Sequence, residues 1–161
     1  MTSTHCWRIA RPFAVTALLC PLFSFAQSSQ VLSVAPPERL VARRGETVKS
    51  TLRVELRSGY HVNSNTPGDE YLIPLRLLWE AAPLEVSAIA FPRPRVEKYE
   101  FSDKPMSVYT EDFEIATTLK TPASAPLGPK ILLGKLRYQA CNDRMCLPPR
   151  SIEIKLPVDV R

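Results

Sequence analysis

Histidine is nearly missing from this sequence. Two among 161 residues exclude a metal site built on several imidazoles. A heavy excess of one charge is missing too. Lys+Arg 21 against Asp+Glu 16 gives a net charge of +5. Nucleic-acid binding wants a dense basic patch, and Arg43-Arg44 reads as turn charge. No internal repeat, low-complexity tract or sustained helical period is present. With a single His in the mature chain and no nucleophile elbow, nothing supports a Ser-His-Asp hydrolase. What abounds is proline, 16 residues spread through the chain, which forbids long helices and favours short strands joined by loops. The 45% apolar and 23% charged residues are those of a globular protein, and the length suits one domain.

Residues 1–26 read as an address. Arg8 and Arg11 precede the apolar run Phe13 to Phe23, and Ser24-Phe25-Ala26 follows as a small-x-small cleavage pattern before Gln27. The run is shorter than the roughly 20 residues of a spanning helix. The reading is a cleaved signal peptide over 1–26 and an exported domain over 27–161. No second apolar stretch approaches membrane length. Cleavage leaves Cys141 and Cys146 as the mature cysteines and His61 as the mature histidine, in a compartment where disulfides form.

The mature chain reads as strands. Gln30 to Val34 is a short apolar run stopped by Pro36-Pro37. Val48 to Leu56 alternates with period two, the mark of a half-buried strand. Ser58-Gly59 turns the chain into Tyr60-His61-Val62. Leu75 to Trp79, Leu84 to Phe91, Phe113 to Leu119, Lys130 to Ala140 and Ser151 to Val158 follow. Trp79 reads as a core residue. Val96 to Met106 reads as a long loop. Roughly seven or eight short, evenly spaced strands predict an all-β, antiparallel β-sandwich.

The chemistry lies in Tyr138-Gln139-Ala140-Cys141-Asn142-Asp143-Arg144-Met145-Cys146-Leu147-Pro148-Pro149. Both cysteines flank a polar four-residue turn at the end of a hairpin. Facing residues of an antiparallel pair have Cβ atoms about 4.5–5.5 Å apart, and a disulfide needs only slight tightening. So short a loop gains only about 2 kcal/mol from crosslinking. A bond between neighbours that the hairpin already holds suits opening and closing at an accessible tip. An inert staple fits the spacing equally well. Cu(I) bound by Cys141, Met145 and Cys146 is a third reading, and a non-catalytic exported binding module a fourth. His61 can sit near the cysteines and tune them, Tyr138 and Gln139 can shape the hairpin, and Arg144 can favour the neighbouring thiolate.

Tyr138-Gln139-Ala140-Cys141 and Cys146-Leu147-Pro148-Pro149, with Gly59-Tyr60-His61-Val62-Asn63-Ser64-Asn65-Thr66-Pro67 earlier in the chain, resemble the periplasmic N-terminal domain of the thiol:disulfide interchange protein DsbD. The resemblance covers most of the mature chain in the same order. It implies an immunoglobulin-like sandwich and a redox-active cysteine pair; no cofactor or metal is expected. It makes Cys146 the exchanging thiol and Cys141 the resolving one. It also implies an aromatic cap loop, for which Tyr99-Glu100-Phe101-Ser102-Asp103 is the matching segment and Phe101, beside Tyr99, the candidate. The turn between the cysteines is one residue shorter than in the best-known members. The membrane conduit and thioredoxin-like domain of the full-length family are not in this sequence. The expectation is therefore a periplasmic electron-transfer partner, a thiol-disulfide oxidoreductase fed by a separate membrane or thioredoxin-like donor and serving thioredoxin-like exported oxidoreductases.

Overall fold

The computed structural model describes residues 30–161; the signal-peptide reading over 1–26 lies outside them. Twelve strands and no helix occur among the described residues. They are β1 (Leu32–Val34), β2 (Leu40–Ala42), β3 (Thr47–Leu56), β4 (His61–Asn63), β5 (Arg76–Glu80), β6 (Glu85–Ala90), β7 (Arg95–Glu97), β8 (Met106–Tyr109), β9 (Phe113–Lys120), β10 (Gly128–Tyr138), β11 (Ala140–Cys141) and β12 (Arg150–Val160).

Period-two patterning builds the sandwich. In β3, Ser50, Leu52 and Val54 are buried while Thr51, Arg53 and Glu55 are exposed, so one face can be dry and the other wet. The first sheet has the order β1-β3-β9-β6 and the second β2-β12-β10-β5. Leu52, Val54 and Ile115 of the first pack with Leu77, Leu136 and Ile154 of the second in one buried cluster. A second cluster joins Leu119 to Leu132, Leu156 and Val158. Trp79 spans the layers: its ring lies over Gly134, where an added Cβ would come within 2.8 Å of it, and its Nε1 donates to Thr117 Oγ1 at 3.1 Å.

A third sheet, in the order β11-β4-β8-β7, carries the cysteine segment. It revises the sequence reading in two places. The stretch read as one loop from Val96 to Met106 has strands at both ends, β7 and β8, leaving residues 98–105 as the loop between them. Three- and four-residue strands are too short to show a period. The strand read as continuous from Lys130 to Ala140 stops at Tyr138, and the chain changes sheets at Gln139. One pairing is also not antiparallel: β2 runs parallel to β12, Val158 beside Leu40.

Candidate functional site

Two local devices bring the site together. The turn Arg57-Ser58-Gly59-Tyr60 closes with Tyr60 N donating to Arg57 O at 3.2 Å, and Gly59 holds φ of 81°. A side chain disfavours that left-handed geometry. This turn delivers His61 to β4. The second device is the sheet change at Gln139. Beyond it, Ala140 pairs with Val62 and Cys141 with His61. Alternation sends Tyr138 and Ala140 into the core and Gln139 and Cys141 to the opposite face.

The Gln139 side chain anchors the change. Its Oε1 accepts from Asn63 Nδ2 at 3.2 Å and from Ile73 N at 3.4 Å, and its Nε2 donates to Leu147 O at 3.3 Å. One amide thus links β4, the loop that follows it and the return limb of the hairpin. At the tip, Asn142 Oδ1 accepts from the backbone N–H groups of Arg144 and Met145, both at 2.9 Å. This is an Asx turn.

Leu147 N donates to Ala140 O at 2.8 Å and Asn142 N to Met145 O at 2.9 Å, one on each side of the cysteines. Cys141 and Cys146 therefore form the non-hydrogen-bonded pair of the hairpin, where side chains approach closest. Their Cα atoms are 3.9 Å apart, and the sulfurs are bonded at 2.01 Å with a dihedral of 98°. Accessibility is unequal. Cys141 is 0% exposed, whereas Cys146 is half-buried. The accessible tip read from sequence thus holds for Cys146 and not for Cys141, whose face is covered.

The 98–105 loop covers His61, the cross-strand partner of Cys141. His61 lies opposite Cys141, so their side chains share a face. Tyr99 stacks on His61 with ring centroids 4.0 Å apart and planes at 17°. Phe101 continues the stack, 5.6 Å from Tyr99 and 6.3 Å from His61. The Tyr99 hydroxyl donates to Glu97 Oε2 at 2.8 Å. Phe101 is 38% exposed and forms the outer end of this column.

Burial sets the electrostatics. His61 is 3% exposed, and loss of hydration pushes its pKa below 6.5 against the opposing pull of Glu97 and Asp143. Its Nε2 is buried without a hydrogen-bond partner. The Tyr99 hydroxyl is pushed well above its usual range by burial, then by its bond to Glu97.

The structure thus gathers Cys141, Cys146, His61, Tyr99 and Phe101 on one face, with Gln139 on that same face. Tyr138 is 3% exposed in the core, on the other face. Arg144 is exposed at the tip and Met145 is 58% exposed. Among the described residues no group of three or more His, Cys, Asp or Glu side chains could hold a metal ion, and no helix is long and apolar enough to cross a membrane. Asn142, Asn63 and Glu97 were not singled out in the sequence. Asn at the start of a polar turn is a readable Asx-turn signal; Asn63 and Glu97 become visible only through sheet register.

The family model described as the N-terminal region of the thiol:disulfide interchange protein DsbD matches residues 29–157. Among solved structures, the N-terminal periplasmic domain of ScsB from Proteus mirabilis is similar at a TM-score of 0.52, with 19% sequence identity over 78% of this chain. This chain spans 44% of that one, and the likeness is one of fold. The periplasmic chaperone SfaE is similar at 0.39, with 9% identity over 81% of this chain and 57% of the other. No curated protein matches the sequence.

Proposed function

The chain belongs to the family of DsbD N-terminal domains, and from that premise we propose that it is a periplasmic thiol:disulfide exchange module. It passes reducing equivalents to exported proteins through a reversible Cys141–Cys146 disulfide. The working protein is the 27–161 domain, exported on the 1–26 signal. The observation that carries this reading is the unequal burial of one disulfide: Cys146 half-exposed, Cys141 covered.

A donor thiolate attacks Cys146 Sγ. The disulfide breaks and its electron pair leaves on Cys141 Sγ, which takes up a proton. The donor's second thiol, losing its proton, attacks the mixed disulfide and frees the Cys146 thiolate. The donor leaves as a disulfide, and Cys141 and Cys146 have gained two electrons and one proton; a second proton, taken from solvent by the Cys146 thiolate, completes the dithiol. The Cys146 thiolate then attacks an oxidised exported protein, Cys141 resolves the new mixed disulfide, and the cycle closes. The partners are thioredoxin-like exported oxidoreductases on one side and a separate membrane or thioredoxin-like donor on the other. Phe101 and Tyr99 form the cap beside which the partner thiol enters. No metal or cofactor takes part.

Trapping tests the assignment. Cys141→Ala leaves Cys146 to hold a stable mixed disulfide with an oxidised thioredoxin-like protein, seen as a non-reducing gel shift. Cys146→Ala gives none. Thiol exchange left intact by Cys146→Ala would overturn the assignment. A potential below about −300 mV would mark an inert bridge.

A further inference from the structure

We infer that His61 is a positioning residue for the redox couple: its unpartnered Nε2 is the hydrogen-bond acceptor for the Cys141 thiol, a group that exists only after the disulfide is reduced. The inference rests on the exchange reading above and adds a named role to one of its residues. Its first support is an orphan. A buried polar atom without a partner carries an uncompensated desolvation cost, and His61 Nε2 is one of four such side-chain atoms among the described residues. An unmade bond in one state is accounted for if the other state makes it. Its second support is place. His61 and Cys141 are direct partners in the β4–β11 register and share a face.

The charge states agree. Cys141 is fully buried and His61 nearly so, and the ring of Tyr99 stacks on His61. Burial disfavours a thiolate and an imidazolium alike. A neutral thiol and a neutral imidazole with its proton on Nδ1 form the charge-free combination, one donor for one acceptor. The charged groups facing His61 are Glu97 from β7 and Asp143 from the hairpin tip. Neither bonds Nε2, and Glu97 Oε2 already accepts the Tyr99 hydroxyl. Reduction delivers two electrons and two protons to the cysteine pair. One proton comes to rest on Cys141 Sγ, between that sulfur and His61. The bond is made in the dithiol alone, so it favours reduction and makes the disulfide the stronger oxidant.

The test is the reduction equilibrium against a dithiothreitol redox buffer, for the wild type, His61→Phe and His61→Gln. Phenylalanine keeps a ring for Tyr99 to stack on and removes the acceptor. It should shift the equilibrium toward the disulfide by about three- to tenfold, the worth of one net hydrogen bond, or about 14–30 mV for a two-electron couple. Glutamine, which keeps an acceptor, should recover part of the shift. A His61→Phe potential equal to that of the wild type would overturn the inference. The wild type alone supplies a second reading: the imidazole ¹⁵N signal of Nε2 should move toward its hydrogen-bonded position on reduction, and an unmoved signal would also overturn it. If the wild-type disulfide resists thioredoxin-like reductants altogether, the exchange reading itself fails. If it exchanges freely and neither probe moves, only the role of His61 fails.

Discussion

Replacing Gln139 by alanine tests whether one amide holds the cysteine hairpin against the third sheet. The substitution removes three hydrogen bonds, to Asn63 Nδ2, Ile73 N and Leu147 O, at 3.2, 3.4 and 3.3 Å. Such bonds contribute about 0.5–1.5 kcal/mol each, and these lengths place them at the weak end. Asn63 Nδ2 keeps a second acceptor, Ile73 O at 3.0 Å, so it is not orphaned. Ile73 and Leu147 are only partly buried, and water can reach the groups left behind. The expected loss is about 1.5–3 kcal/mol, read as a lower urea midpoint of the oxidised protein at unchanged m. Hydrogen exchange at Leu147 N, which donates to Ala140 O, should accelerate, because the return limb loses its tether. Reduction by dithiothreitol should accelerate with it as Cys141 becomes reachable. A midpoint shift worth less than about 0.5 kcal/mol, within the ordinary scatter of surface substitutions, would refute the reasoning.

Gly134→Ala should destabilise by about 1–3 kcal/mol through overpacking, since the new Cβ meets three Trp79 ring carbons at 2.8–3.1 Å and that ring is tied to Thr117; urea unfolding measures it, and an unchanged midpoint counts against the packing account. Asn142→Ala should cost about 0.5–1 kcal/mol by removing the Asx turn, with both of its bonds on an exposed tip, again read from the urea midpoint of the oxidised form. The lowered pKa of His61 gives a pH dependence of definite sign. Above 6.5, its ordinary value, folded and unfolded states both hold it neutral and the contribution is full. As pH falls below 6.5 the unfolded chain binds a proton that the native state resists, so stability is lost down to the lowered native pKa. Urea midpoints at about pH 7.5 and 5.5 should therefore fall further for the wild type than for His61→Phe, and equal drops would contradict the burial of a neutral imidazole.

Much of the sandwich was legible because its strands are long enough to show their period. The alternation of Val48 to Leu56 and of Ser151 to Val158 matches β3 and β12 closely. The third sheet was not legible. Its strands have two to four residues, and their pairing joins segments far apart in the chain, such as Val62 with Tyr109 and His61 with Cys141. No local pattern encodes such a partner choice. The cap segment could be named from resemblance, yet the contact of Tyr99 with His61 depends on a loop between β7 and β8 reaching over β4.

The sequence by itself determined an all-β chain, a cysteine pair within bridging distance and the family to which both belong, because each of these is written in local spacing: period two, a short polar turn, a run of motif residues. Only the tertiary structure decided that the two sulfurs are unequal. Cys141 and Cys146 are near-symmetric in a hairpin viewed alone. Pairing with β4 sets the fully buried Cys141 opposite His61 and leaves Cys146 half-buried, and burial of that kind arises from contacts between distant segments.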